Sequence, residues 1–454
     1  MDLKIKIPQG AVFIIDELNK NGFEAYIVGG CVRDSLLGNK PHDWDITTSA
    51  TPYQVKDIFK KTVDTGLQHG TVTVLVDKSH SGGGEYAFEV TTYRVDGIYE
   101  DHRRPKEVSF STSLTEDLKR RDFTINAMAY NDTDGVVDIF GGRDDLENHI
   151  IRCVGKPSER FDEDALRILR AVRFAAQLGF NIDESTKTAM KNQAKYLCDI
   201  SAERIREEFT KLIISDNPFM IETAYELGLT KVFLPEFDLM MNTPQNNPNH
   251  LYSVGMHTIK VMENVPKDVV LRYAALLHDV GKPECRTTDE KGTDHFYEHQ
   301  KIGSEMAKEI LRRLKFDNET IERTTRLVFY HDYGIGGDLG IKAFRRFLAK
   351  LGTENFSDFI AIREADRLAQ SEYNQDKKLA SINNLKKMYE TVVSEKQCLK
   401  IADLAIGGKE LIELGMKPGK DMGDMLHELL EEVLDEPGLN SKEYLLNMAA
   451  KKMK

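Results

Sequence analysis

Two aspartates, Asp43 and Asp45, follow a Gly29-Gly30 pair and Arg33 within the run VGGCVRDSLLGNKPHDWDITT. Glycines at a strand end let backbone N–H groups approach an anion, because no Cβ intervenes. Arg33, one helical turn further on, can fork onto phosphate oxygens. Residues two apart on a strand share a face, so a strand near 44–47 aims both carboxylates at one spot. Such oxygen ligands suit Mg²⁺. Two such ions ~3.5–4 Å apart clamp an in-line phosphoryl displacement. A third carboxylate from a neighbouring strand completes the set, and Glu89, in the alternating run AFEVTTY, is the candidate. A lone Gly-Gly is usually a turn and a lone Asp-x-Asp a solvated face. Their combination at this spacing points to phosphoryl transfer from a triphosphate.

The surrounding pattern supplies elements to hold these groups. Val12, Ile15 and Leu18 recur at helical spacing and Asn21-Gly22 ends the run. Residues 25–28 read as a buried strand, followed by a helix to Leu37-Gly38. The runs 70–77 and 85–93 alternate as strands around a turn at Gly82-Gly83-Gly84. From about residue 160 the pattern is helical, with Leu166, Leu169, Val172 and Ala176 as one stripe and 201–214 as a further helix behind Ser201. A polar break at 243–250 reads as a linker or long loop. The expectation is an α+β chain: a head with a mixed sheet over 1–150, a helical neck over 151–220, a helical domain over 221–395 and a helical tail over 396–454.

The 454 residues carry a net charge of −12, which argues against a uniformly basic nucleic-acid coat. Local clusters remain for phosphate contacts: Arg103-Arg104, Lys119-Arg120-Arg121, and Arg167, Arg170 and Arg173. The five cysteines are scattered without CxxC spacing, so neither a disulfide framework nor a zinc knuckle is expected. No apolar run reaches the roughly 18–20 residues of a membrane span, and MDLKIKIPQG lacks signal-peptide character. A cytoplasmic protein without membrane association is expected.

The Val28–Thr48 stretch resembles the head motif of the class II tRNA nucleotidyltransferase and bacterial poly(A) polymerase family. KRRDFTINAMA (119–129), DIFGGRDDL (138–146), EDALRILRAVRF (163–174) and SAERIREEFTK (201–211) resemble further motifs of that family in the same order. The resemblance implies a polymerase-beta-like head with an extended all-α neck, body and tail. It places Gly29, Gly30, Arg33, Arg121, Asp122, Asn126, Asp164, Arg167, Arg170 and Arg173 at the nucleotide, and Asp43, Asp45 and Glu89 at catalysis with Mg²⁺. It implies CTP and ATP as substrates and the tRNA 3′ end as partner.

Asp164 and Arg167, three apart, would lie side by side on one helix. A carboxylate accepts and a guanidinium only donates. Asp164 can accept from the amino group of cytosine or adenine while Arg167 donates to the ring nitrogen. Guanine and uracil present the opposite order, which leaves buried polar groups facing like partners. The bland alternative is an exposed salt bridge worth about 0.3–0.5 kcal/mol. The run 94–113 resembles the family's flexible loop at full length, which favours addition of C, C and A, or of A alone, over addition of CC only.

His257, His278-Asp279, His299, His331 and Asp366 form a second series. HDVGK at 278–282 resembles the HD phosphohydrolase superfamily, and the order implies one or two divalent transition metals on helices. Each histidine alone is more often a packing residue than a ligand. The run 404–433 resembles the C-terminal segment of many CCA-adding enzymes. The function expected is template-independent addition of C, C and A to tRNA. The alternatives are A addition alone, a poly(A) polymerase, or an HD-type phosphohydrolase with an RNA-binding head.

Overall fold

The computed structural model describes residues 4–77, 86–96, 99–100, 104–105, 108–334 and 339–453. The turn expected at Gly82-Gly83-Gly84 and Arg103 of the loop expected over 94–113 lie outside these residues. The chain forms two compact units, 1–235 and 236–454.

The first unit is built on a seven-stranded mixed sheet. Its strands include β1 (Ala25–Val28), β2 (Ile46–Thr48), β3 (Thr62–Gly66), β4 (Thr71–Val76) and β5 (Tyr86–Thr92). Across the sheet the order is Gly135–Asp138, Met128–Asn131, β1, β2, β5, β4, β3. The β2–β5 pair is parallel; the other pairs are antiparallel. The run AYIV of β1 is buried throughout, as a strand covered on both faces requires. The helix Gln9–Lys20 buries Ala11, Ile14, Ile15 and Leu18, an i, i+3, i+4, i+7 stripe.

The strand expected over 44–47 begins instead at Ile46, so Asp43 and Asp45 precede it. The Val28 N–H still donates to the Asp45 carbonyl (3.0 Å), which extends the ladder by one residue. The partner strand β1 ends at Val28 and the chain turns into the helix Gly30–Leu36. Asp43 therefore has no strand to pair with.

The helix Leu166–Leu178 buries Leu166, Leu169, Val172 and Ala176 and packs against the helix Ala202–Ile213. Ser201 takes the N-cap position of the latter, but its side chain makes no capping bond.

The second unit is helical apart from a hairpin, Arg286–Thr288 with Asp294–Phe296. Its principal helices include Val254–Asn264, Val269–Leu277, His299–Arg313, Asn318–Tyr330, Phe356–Ala369 and Gln375–Ser394. The His278-Asp279 turn meets the helix His299–Arg313 through two glycines. A Cβ on Gly281 would collide with the His299 carbonyl and with the Gly303 backbone. Among the described residues no helix is long and apolar enough to cross a membrane.

Candidate functional site

The parallel register of β2 and β5 sets Ile46 against Val90. The residues just before them, Asp45 and Glu89, thus stand at equivalent positions of the two neighbouring segments and face the same side. The Asp45 carboxyl is raised above its ordinary value. Loss of solvation is the largest cause, the Glu89 and Asp43 charges add to it, and Arg121 opposes it. All three carboxylates open to solvent. They are looser than a closed cage: among the described residues, groups of three or more ligand atoms within 4.8 Å of one another occur only in the second unit. Mutually repelling, solvent-accessible carboxylates fit a divalent cation that keeps some of its water.

Behind them lies a network of arginines. Arg33 is buried; its Nη1 donates to Asn126 Oδ1 (2.7 Å) and its Nε to Asp34 Oδ1 (2.8 Å). Asn126 Nδ2 donates to Asp122 Oδ1 (3.2 Å), and Asp122 Oδ2 accepts from Arg170 Nε and Nη2 (2.8 and 2.6 Å). Arg173 pairs with Glu208 on the next helix (2.7 Å). The guanidinium groups of Arg33, Arg170 and Arg173 lie 5.1, 5.3 and 3.8 Å from the Phe174 ring centroid. Asp122 and Asn126 therefore reach the expected triphosphate site through the arginines they orient.

Burial alone would raise the Asp122 carboxyl, but Arg170 outweighs it and brings the value down to about 2. A carboxyl held below its unfolded value stabilises the fold above roughly pH 4, and this contribution is lost as pH falls toward 2. Arg170→Met strands that buried charge and should cost about 3–5 kcal/mol. Denaturant unfolding at pH 7 measures it, and the deficit should shrink in acid.

Arg121 is held by a residue outside the expected set. The buried Asp117 accepts from Arg121 Nη2 (3.2 Å), from Arg120 and from the Thr47 hydroxyl (3.1 Å). Burial raises the Asp117 carboxyl, but the two arginines leave it below its ordinary value. An acid four residues before Arg121 was the available signal. Gly29 has φ +79°, and a Cβ there would meet Arg121 Nη1 at 3.0 Å. Gly29→Ala should therefore lose about 1–2 kcal/mol from the left-handed backbone alone. It should also raise the KM for nucleotide by displacing Arg121, read by a thermal melt and steady-state kinetics.

The expected Asp164–Arg167 pair on one helix is not found. A helix Pro157–Glu163 ends, Asp164 is extended (φ −141°, ψ 103°), and a new helix starts at Leu166. The Asp164 carboxylate is drawn out of helical alignment by two donors, Leu166 N–H (3.1 Å) and Arg204 (2.8 Å). Arg167 turns to Glu163 and to the Arg160 and Arg120 carbonyls.

In the second unit all six expected residues converge, buried. His257 Nε2 lies 3.0 Å from Asp366 and 3.8 Å from Asp279; His278 Nε2 lies 3.2 Å from Asp279. His299 and His331 stand 3.5 and 3.6 Å from the other Asp279 oxygen. Each Nδ1 faces a backbone carbonyl: Ala369, Ala275, Phe296 and Val328 respectively. A carbonyl cannot donate, so Nδ1 carries the proton of each neutral ring and Nε2 offers a lone pair to the centre. His257 Nε2, His278 Nε2 and Asp279 Oδ2 are buried, and apart from one another their charged neighbours are Asp366, beside His257, and Lys282, beside Asp279. The ligand atoms form two triads, His257–His278–Asp366 and Asp279–His299–His331. Asp279 faces both triads, so the donor set fits one or two divalent transition metals, which these six side chains would hold.

Two residues at this cluster were not expected. Asp332 lies 3.0 Å from His299, and Lys282 lies 2.7 Å from Asp279. A second His-Asp dipeptide at 331–332 was a readable signal for the first. The segment 243–250, expected as a linker or long loop, helps line a cleft of about 1210 Å³ above the cluster.

Residues 25–152 match the poly A polymerase head domain family. Residues 179–241 match the probable RNA and SrmB-binding site of polymerase A, and 288–449 the tRNA nucleotidyltransferase domain 2 family. The CCA-adding enzyme of Ligilactobacillus salivarius is 36% identical, covering 97% of this chain and 96% of that protein. The CCA-adding enzyme of Enterococcus faecalis is 35% identical over 96% of this chain and 94% of that protein. The Bacillus stearothermophilus CCA-adding enzyme in complex with CTP superposes with TM-score 0.69 at 28% identity, covering 98% and 97% of the two chains. The Thermotoga maritima CCA-adding enzyme complexed with tRNA shares the fold, with TM-score 0.59 at 23% identity and coverage of 98% and 94%.

Proposed function

The chain belongs to the CCA-adding enzymes, and from that premise we propose that Asp43, Asp45 and Glu89 are the carboxylates on which it adds C, C and A from CTP and ATP to the tRNA 3′ end. The adjacency of Asp45 and Glu89 in the parallel β2–β5 register carries this reading. The fold implies dependence on a divalent metal, and Mg²⁺ is the ion these oxygen ligands suit. When bound, such ions make the attacking 3′ hydroxyl more acidic and balance charge on the departing pyrophosphate. The 3′ oxygen joins the α-phosphorus and the bond to pyrophosphate breaks. The Gly29-Gly30 backbone, Arg33 and Arg121 hold the triphosphate. Asn126, itself held by Asp122 and through it by Arg170, keeps the Arg33 guanidinium aimed, and Asp117 does the same for Arg121. A tRNA substrate and five free cysteines suit a cytoplasmic setting.

Base choice falls to Asp164 and Arg167, each pre-set by its own partner. Arg204 holds the Asp164 carboxylate in place, so it accepts from an amino group and rejects a carbonyl. Asp164→Ala should relax selection, with GTP and UTP incorporation rising about 10–100-fold relative to CTP. Continued exclusion of both would remove Asp164 from base reading. The test of the whole function uses tRNA transcripts ending before C74, after C75 or complete, with one labelled NTP at a time. Addition of C, C and then A supports it; addition only of A to the CC end gives the A-adding alternative.

The buried histidine–aspartate cluster favours a second reading for the other unit. Four Nε2 lone pairs with the Asp279 and Asp366 carboxylates would hold one or two divalent transition metals in an HD-type centre. Metal analysis of the purified chain tests it: one to two equivalents should survive gel filtration, and a metal-free chain that cannot be reloaded refutes it.

A further inference from the structure

The carboxylates of the first unit stand beside an open sheet face that the triphosphate residues do not use. Alternation puts Glu89 and Ala87 of β5 on this face, with Thr73 and Leu75 of β4 opposite them in the antiparallel register. Val63 of β3 stands opposite Thr73. The other face is core: Val72, Val74, Phe88 and Val90 are buried. On the open face Leu75 is 38% and Val63 46% exposed, and Ala87 is exposed as well.

This face also carries a hydroxyl pair. Thr65 Oγ1 lies 2.9 Å from Thr73 Oγ1. One hydrogen joins the two oxygens, which leaves the second hydrogen and further lone pairs for another group. Thr73 is buried and Thr65 exposed, so the pair opens outward. Asp77, further along the same alternation, is paired with Lys61 (2.6 Å). The face beyond Glu89 is thus a neutral platform of apolar side chains and hydroxyls.

The direction of attack decides what crosses that platform. Arg33 and Arg121 gather with Gly29 just past the end of β1. In the sheet order β1 lies on one side of β2 and β5, while β4 and β3 lie on the other. An in-line displacement places the attacking and leaving oxygens on opposite sides of phosphorus. With pyrophosphate leaving on the β1 side, the 3′ hydroxyl arrives from the side of β4 and β3, and its strand passes over Leu75 and Val63. The end of that strand changes as nucleotides are added, so its contacts must be indifferent to the base. Apolar surface and hydroxyls meet this condition, and the ribose 2′-OH is both donor and acceptor. Cross-strand neighbours have Cβ atoms roughly 4.5–5.5 Å apart. A 3′ oxygen at Glu89 therefore leaves its vicinal 2′ oxygen within reach of the hydroxyl pair.

We propose that the open face of β5, β4 and β3 seats the 3′-terminal nucleotides of the tRNA acceptor strand, with the Thr65–Thr73 hydroxyl pair binding the 2′-OH of the attacking ribose. This rests on the reading of Asp43, Asp45 and Glu89 as the catalytic carboxylates.

The test uses the full chain with Mg²⁺, ATP and tRNA transcripts ending at C75, with either cytidine or 2′-deoxycytidine as the last residue. The deoxy end should lower the wild-type kcat/KM for tRNA at least about tenfold. Thr65→Val and Thr73→Val keep the branched shape and remove a hydroxyl. Each should show a similar loss on the ribose end with KM for ATP unchanged, and its penalty for the deoxy end should shrink by the same factor. Thr65 is exposed, so its variant decides the matter even where Thr73→Val impairs folding. Leu75→Glu, also at an exposed position, sets a carboxylate in the path of the phosphodiesters. It should raise KM for tRNA severalfold, and more at low salt than at high. A wild type indifferent to the deoxy end overturns the proposal. So do threonine variants that lose equally on both ends or raise KM for ATP instead, and an unaffected Leu75→Glu protein. Full incorporation by Glu89→Gln overturns the carboxylate reading beneath it.

Discussion

Asp45→Asn should reduce nucleotide incorporation by at least about 10³-fold, close to 4 kcal/mol of transition-state stabilisation. The amide keeps the shape of the carboxylate and removes the charge that a divalent ion needs. Glu89 and Asp43 remain, but Asp45 is the residue whose carbonyl is fixed in the β1–β2 ladder and whose position matches Glu89 across β2–β5. Stability should move the other way. The Asp45 carboxyl is raised in the folded chain by loss of solvation and by its acidic neighbours, so its ionised form opposes folding at neutral pH. An uncharged substitute relieves that repulsion, and the melting temperature without metal should hold or rise. A variant that retains more than a tenth of wild-type incorporation would remove Asp45 from the catalytic set. Lost activity with a lowered melting temperature would make its role structural.

The contrast between head and neck shows what a sequence can carry. The β4 and β5 alternation and the Gly29-Gly30, Asp43 and Asp45 spacing are local, and the residues meet because short strands have only one way to present them. Glu89 followed from the same rule applied to the neighbouring strand. The break at Asp164 was not legible. EDALRILRAVRF is good helix-forming sequence throughout, so periodicity favours one uninterrupted helix. What stops it is a guanidinium forty residues away, Arg204, together with a capping bond to Leu166 N–H. Asp117 and Glu208 escaped notice for a similar reason: each is an ordinary helix-surface acid until packing buries it against arginines. In the second unit the order of histidines named the cluster.

Asp279→Asn should empty the second unit's metal centre while sparing nucleotidyl transfer to within about twofold, a change of under 0.5 kcal/mol. Asp279 faces both triads, with His257 and His278 near one oxygen and His299 and His331 near the other. Its carboxyl is held well below its ordinary value, since His278 and Lys282 outweigh the effect of burial. An amide lacks the charge that a divalent cation needs, so bound metal should fall. It also leaves the buried Lys282 ammonium without its counter-charge, 2.7 Å away in the native chain, which costs about 3–5 kcal/mol. His299→Gln separates the two effects, because it removes one ligand and keeps the Asp279–Lys282 pair. It should lose one of two metal equivalents and, with metal removed from both proteins, unfold close to the metal-free wild-type midpoint. The metal itself should stabilise the wild type by RT ln(1 + [L]/Kd), or about 2.7 kcal/mol at a hundredfold excess over Kd. Chelation should therefore lower the wild-type melting temperature and leave that of Asp279→Asn where it stands. Equal responses of the two proteins would mean that the cluster holds the helices together by hydrogen bonds alone.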